Sequence, residues 1–133
     1  MMLYVKICIV AVFLIWAVLE GVKDAYLFHY KSTTAHDTKP PHFIFTIHRL
    51  IFGTLLLWIT QDWLFCLSLA LIFPIVHNGF YYHFRHKLNT SIYPQGWKDQ
   101  STTSTALINF GFFARVMFAQ IGLVLLIADL VIY

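Results

Sequence analysis

The chain has 133 residues, of which 59% are hydrophobic, 18% aromatic and only 11% charged. A soluble domain carries roughly 25% charged residues, so this composition excludes an ordinary soluble enzyme and a disordered tail. The formal net charge of +3 is spread along the chain without a basic run, which disfavours a nucleic-acid partner. The length fits a single domain covering residues 1–133.

Four apolar stretches free of charged residues and histidines dominate the chain, at residues 7–19, 50–61, 63–76 and 116–128. Each is shorter than the roughly 20 residues that cross about 30 Å of hydrocarbon, so the polar residues beside it must enter the bilayer with it. The pattern predicts an all-α integral membrane protein, a four-helix bundle of up-and-down topology. Its helices are expected at residues 3–29, 42–60, 62–87 and 104–131.

The first predicted helix has Lys6 ahead of an apolar run, as a secretory signal peptide does. Residues 16–20, however, lack the small-x-small pattern of a cleavage site. We therefore expect this helix to be retained. The alternative topology has three spans, with the first helix either cleaved or lying on the membrane surface.

Helices 2 and 3 are separated only by residues 60–62, a connection so short that it predicts an antiparallel hairpin. Asp62 is predicted to cap the start of helix 3, and the Ser/Thr run at 101–105 to cap the start of helix 4. Pro74 lies inside helix 3 and is expected to kink it.

Basic residues indicate which side of the membrane the loops occupy. Six of them lie at or beyond the face shared by the first and third loops: Lys23, Lys31, Lys39, Arg85, Lys87 and Lys98. The opposite face has Lys6 as its only basic residue, together with Asp62 and Asp129. By the positive-inside rule, loops 1 and 3 are cytoplasmic and both termini lie on the outer face.

In this topology all seven histidines fall on the cytoplasmic half: His29, His36, His42, His48, His77, His83 and His86. Counted inward at 1.5 Å per residue, polar groups of all four helices share a layer roughly 8–15 Å inside their cytoplasmic ends. The members of this layer are Glu20, His48, Arg49, His77, Asn78, Asn109 and Arg115. Asp24 shares a helix face with Glu20, and Tyr81 and Arg85 continue the stripe that His77 begins, so these three residues join the same cytoplasmic-facing group. Charged groups in hydrocarbon cost roughly 2.5–3.5 kcal/mol each, so we expect them to face the bundle interior and pair there.

The sharpest functional hypothesis for this layer is a metal or haem site. His48 and His77 suit bis-His ligation of haem b or half of a transition-metal site, which Glu20 and Asp24 would complete. The remaining polar members are candidates to orient the ligands or to hold substrate: Arg49, Asn78, Tyr81, Arg85, Asn109 and Arg115. A redox enzyme acting on a lipid or quinone-like substrate would be one use of such a site.

Two other functions are compatible with the sequence, which leaves open whether the protein is an enzyme. In the first, carboxylates simply neutralise arginines, and the chain is a binding or scaffolding subunit of a larger membrane complex. In the second, Glu20 and Asp24 carry protons or ions across the membrane. We expect the outer halves of all four helices to lack ionisable side chains, which counts against transport. Membrane lipid is an expected partner, and so is a second copy or a partner subunit, because so short a chain exposes much apolar surface.

Two stretches resemble known families. Residues 41–53, with His48 and Arg49, followed by residues 77–79 and 85–86, resemble the cytochrome b anchor of succinate dehydrogenases. That family has a His-Arg-x-x-Gly motif on one helix and a Gly-x-Arg-His motif near the haem ligand on the next. Here the first motif is one residue longer, the Gly-to-Arg spacing differs and an additional helix precedes both, so no ligand role is carried over.

The second resemblance covers residues 78–106, with Asn78 to Tyr82 and Tyr93 to Asp99 as its most distinctive parts. This segment is similar to small membrane proteins of bacteria and their phages that have no assigned activity. The resemblance implies a bacterial setting, and with it the inner membrane. It implies no reaction.

Overall fold

The computed structural model of the chain describes residues 3–33, 42–100 and 110–132, and throughout these residues the only regular structure is helical. Four α-helices follow one another: α1 Leu3–Thr33, α2 His42–Thr60, α3 Trp63–Leu88 and α4 Phe112–Ile132. A short 3-10 helix, Gly96–Lys98, lies in the connection between α3 and α4. The all-helical prediction is therefore confirmed for the described residues.

Three helices are long and apolar enough to cross a membrane, over Leu3–His29, Trp63–Leu88 and Phe112–Ile132. The apolar part of α2, Ile44–Thr60, is shorter and spans roughly 25 Å at 1.5 Å per residue. The helix composition thus fits an integral membrane protein. Four spans and the orientation of the loops remain predictions.

The turn between α2 and α3 is as short as predicted, with only Gln61 and Asp62 between the two helices. Gln61 adopts a left-handed backbone conformation with φ 54°, and Asp62 follows as the N-cap of α3. Its Oδ1 accepts a hydrogen bond from the backbone N–H of Phe65 at 3.0 Å, which satisfies one of the free donors at the helix start. The predicted cap of α4 lies outside the described residues, and α4 itself begins at Phe112 rather than at 104.

Helix α3 lies at the centre and packs extensively against α1 and α4. The dry core between them consists of Phe13, Phe65, Leu69, Ile72 and Leu126. Two glycines allow the helices to approach closely. A Cβ on Gly122 would lie 2.7 Å from the backbone oxygen of Ser68, and one on Gly21 would collide with the backbone oxygen of His77.

Helix α2 is held differently, because it contacts α3 only sparsely. Trp16 of α1 packs against it, with its ring stacked on Phe52 and the ring centroids 4.2 Å apart. Most of its apolar side chains are exposed, including Leu50, Ile51 and Trp58. Packing alone therefore fixes α2 less firmly than the other helices.

Candidate functional site

Polar side chains of three helices meet at one point, which we call the inner cluster: Glu20, Lys23 and Asp24 of α1, Arg49 of α2, and His77 of α3. Arg49 Nη2 donates to Asp24 Oδ2 at 3.0 Å and lies 2.9 Å from His77 Nε2. His77 Nε2 in turn lies 3.1 Å from Asp24 Oδ2. Asp24 and His77 are buried, and Arg49 is partly exposed.

Local structure explains why these groups meet. Glu20 and Asp24 are one turn apart and therefore lie on the same face of α1. Between them Gly21 brings the α1 backbone against the α3 backbone at His77, where any larger residue would collide. Arg49 reaches the pair from α2 with its guanidinium 5.4 Å above the ring of Phe73, which also stacks on His77.

The hydrogen bonds of His77 define its role. Nδ1 lies 2.8 Å from Asn78 Oδ1, so with the amide oriented this way Nδ1 carries the proton and donates it to that oxygen. Nε2 then has a lone pair and accepts from Arg49. In that tautomer Nε2 has no proton to donate to Asp24 Oδ2, 3.1 Å away, so Asp24 takes its hydrogen bond from Arg49.

Charge in the inner cluster is balanced by its own members. Lys23 Nζ donates to Glu20 Oε1 at 2.6 Å, while Arg49 pairs with Asp24. Two carboxylate oxygens nevertheless remain buried without a hydrogen-bond partner, Glu20 Oε2 and Asp24 Oδ1. They are the atoms of the cluster with unused acceptor capacity.

The four predicted ligands are not all brought together. Asp24 and His77 are in contact and Glu20 lies one turn away, but His48 is exposed, with its ring 6.4 Å from that of Trp16. Across the described residues, no three His, Cys, Asp or Glu side chains are grouped so that they could hold a metal ion. The guanidinium of Arg49 contacts the same Asp24 oxygen and His77 nitrogen that a metal would use.

Other predicted members of the layer belong to a separate assembly, which we call the loop cluster: Arg85, Arg115, Tyr82, Tyr93 and Trp97. Here the connection after α3 folds back on the bundle, and His86 Nδ1 donates to the Tyr93 carbonyl at 2.8 Å. Arg115 Nη2 donates to the carbonyls of Trp97 at 3.2 Å and Asp99 at 2.5 Å.

The remaining candidates fall around these two clusters. Asn78 contacts His77. Tyr81 packs edge-on against Phe28 and Tyr82. Asn109 lies outside the described residues. The single polar layer expected from helix depth is therefore two distinct clusters.

A third group, the outer cluster, was missed. Lys6 Nζ donates to Asp62 Oδ2 and to Asp129 Oδ2, both at 2.7 Å, and so ties together the ends of α1, α3 and α4. Lys6 is 2% exposed and Asp129 0%. The expectation that the outer helix halves lack ionisable side chains is wrong. The sequence feature that could have predicted this cluster is a single lysine and a single aspartate, each within a strongly apolar helix.

Electrostatics within the outer cluster follow from this geometry. Partial burial acts to raise the pKa of the Asp62 carboxyl, but the hydrogen bonds from Lys6 and from the Phe65 backbone outweigh it. The pKa of Asp62 consequently lies below its ordinary value. Asp62 is thus held ionised while it caps α3.

Comparison with known proteins gives no match, whether to family models, to curated proteins or to solved structures. Function is therefore argued from the geometry of the clusters.

Proposed function

We propose that the chain is a small binding or scaffolding subunit of a larger membrane complex, a bundle whose four helices span the bacterial inner membrane. Loops 1 and 3 face the cytoplasm and both termini face outward in this proposal. One observation carries it. Arg49 bonds Asp24 and approaches His77 within 3.0 Å, so the inner cluster uses its charges to join three helices.

The role of the inner cluster follows from the weak packing of α2. Few contacts hold α2 to α3, and the ring of Trp16 of α1 stacks on Phe52. Asp24 is buried and Arg49 is partly exposed, so removing Arg49 leaves a buried carboxylate unpaired, for which about 3–5 kcal/mol is the upper end of the cost. An ionic contact of this kind can fix the position of a helix that apolar packing leaves loose.

Exposed surface supports a partner. Only 28–33% of the residues in the spanning windows of α1, α3 and α4 are buried within the chain. The rest of this apolar surface faces membrane lipid, a second copy or another subunit. An assembled complex would cover part of it.

The test is to isolate the tagged chain from its own membrane in a mild detergent and measure the native mass. We expect a defined complex well above the 15.5 kDa of one chain. An Arg49→Gln variant should lose the partner, because α2 is no longer held, while a Lys98→Gln variant should keep it. Circular dichroism checks that both variants retain their helices. A monomeric wild type, or a complex unchanged by Arg49→Gln, would contradict the proposal.

A second candidate function, a non-haem metal site, is favoured by one observation. The unpartnered oxygens of Glu20 and Asp24 lie in the same cluster as His77, and carboxylate and imidazole are both ligands that transition metals use. As described, the three side chains are not grouped closely enough to hold an ion, so binding would have to draw them together. Arg49 would have to leave for the ion to bind. Haem b fits less well, because its second axial ligand would be the exposed His48.

Elemental analysis of protein purified without chelators separates the two candidates. A metal site predicts one ion per chain in the wild type and none in His77→Ala. Arg49→Ala vacates the position between Asp24 and His77 and should therefore bind the ion more tightly. A Soret band would indicate haem instead. Wild-type protein that is free of metal and haem, with Arg49→Ala equally free, would end the cofactor hypothesis.

A further inference from the structure

Two arginines of the loop cluster are buried with free hydrogen-bond donors. Arg85, in the last turn of α3, is 5% exposed, and Arg115, in the first turn of α4, is 0% exposed. The Nε and Nη1 atoms of both side chains are buried and have no hydrogen-bond partner. Buried guanidinium groups normally have their donors satisfied, so this end of the bundle is short of acceptors.

Negative charge is missing as well. Among the described residues no carboxylate lies within ion-pair distance of Arg85 or Arg115. Asp99 accepts a hydrogen bond from the Gln95 backbone with its side chain, and its carbonyl oxygen accepts from Arg115, so its carboxylate acts on Arg115 only from beyond ion-pair distance. In the inner and outer clusters, by contrast, Arg49 and Lys6 each pair with a carboxylate of the chain itself.

The two arginines share one support. Arg115 lies over the ring of Tyr82 at 5.1 Å, Arg85 lies over the ring of Tyr93 at 5.8 Å, and the two tyrosine rings are 5.1 Å apart. The ring faces stabilise the guanidinium planes without using any N–H group. Each guanidinium is thereby held in position while its Nε and Nη1 donors remain unpaired.

We propose that Arg85 and Arg115 form a binding site for a phosphate group. The guanidinium fork matches phosphate oxygens with paired hydrogen bonds, and two uncompensated positive charges match a phosphate monoester. The start of α4 adds the partial positive charge of a helix N-terminus. The exposed Lys98 at the same end would attract an anion towards it.

The phosphate has two sources, the headgroup of an anionic lipid and a soluble phosphate compound. Tyr82, Tyr93 and Trp97 are aromatic residues of the kind that lie at the boundary between membrane and water, where lipid phosphates also lie. Both sources offer the same group to the same arginines. The site goes beyond the proposed subunit function and does not depend on it.

The experiment uses the full chain in dodecyl maltoside micelles, which contain no phosphate. Inorganic phosphate and phenyl phosphate are titrated in one arm, and micelles doped with phosphatidic acid are used in the other. Binding is measured as the rise in unfolding temperature and, for the soluble compounds, by calorimetry. Chloride at equal ionic strength and micelles doped with a fatty acid control for charge alone.

We expect saturable binding of one phosphate per chain, weakened about 10- to 100-fold in Arg85→Gln, because hydrogen bonds between charged groups are lost. Lys87→Gln removes an exposed charge from the same turn and should leave binding nearly unchanged. Where Arg115→Gln fails to fold, Arg115→Lys keeps the charge but loses the fork and should also weaken binding. A response to phosphatidic acid alone identifies a lipid headgroup, and a response to the soluble compounds alone identifies a soluble phosphate.

Two results would overturn the proposal. One is the absence of binding in both arms. The other is binding that Lys87→Gln weakens as much as Arg85→Gln does, which would indicate a diffuse charge effect. Neither result bears on whether the chain assembles with a partner.

Discussion

Replacing Lys6 by methionine should be among the most damaging single changes to the bundle. The ammonium group is 2% exposed and bonds two carboxylates at 2.7 Å each, one of which, Asp129, is 0% exposed. Without the lysine, two negative charges from different helices would face each other with no cation. An uncompensated buried charge of this kind costs about 3–5 kcal/mol, and we expect Lys6→Met to destabilise the fold by that amount.

A second variant makes this prediction more specific. Asp129→Asn leaves Lys6 paired with Asp62, so it should cost less than Lys6→Met does. In the double variant only Asp62 remains charged, and its side chain is partly exposed, so part of the stability should return. The assay is reversible unfolding in mixed micelles followed by circular dichroism. Lys98→Met, which removes an exposed lysine, should cost no more than about 0.5 kcal/mol. Equal effects of Lys6→Met and Lys98→Met would refute the reasoning.

Two further predictions concern acid stability and helix contacts. Because the pKa of Asp62 is lower in the folded than in the unfolded chain, its contribution is complete above the ordinary value of about 3.9 and is lost as the pH falls towards the folded value. Acid titration of unfolding should therefore show a smaller loss of stability below about pH 4 in Asp62→Asn than in the wild type. Gly21→Ala would push α1 away from the His77 carbonyl and should cost about 1–3 kcal/mol. Its control Gly53→Ala, where the added methyl meets open space, should be neutral or stabilise α2 by up to about 1 kcal/mol, and thermal melts of both variants would check this.

The helices themselves could be predicted from the sequence, because apolar runs and turn residues act locally. The hairpin between α2 and α3 and the cap by Asp62 are short-range features, and both are present. The start of α4 could not be predicted in the same way. There Gly111 supplies the carbonyl that accepts from the Arg115 backbone, and the helix begins only after it.

The depth of each residue along its helix predicted some members of the inner cluster correctly and others wrongly. Asp24 and His77 were expected at one level and are in contact. His48 was expected there too, but adjacent residues of a helix differ by about 100° in direction, so only Arg49 points inward while His48 is exposed. Depth fixes the level of a residue and says nothing about the rotation of its helix.

The other two clusters depend on long-range structure. Arg115 was expected near the carboxylates, but the connection after α3 folds back and offers it the Trp97 and Asp99 carbonyls instead. Lys6 and Asp129 are 123 positions apart, and their contact requires the ends of α1 and α4 to meet. No local pattern in the sequence predicts the contacts of Arg115 or the pairing of Lys6 with Asp129.

The most direct test of the account is the coupling free energy between Asp24 and Arg49. Unfolding of the wild type, Asp24→Asn, Arg49→Gln and the double variant forms a double-mutant cycle, which isolates the interaction that we propose holds α2 in place. The structure, with the two groups 3.0 Å apart, predicts that the double variant is more stable than the sum of the single effects implies, by about 1–3 kcal/mol. Strictly additive effects would mean that the pair does not fasten α2, and would contradict the account.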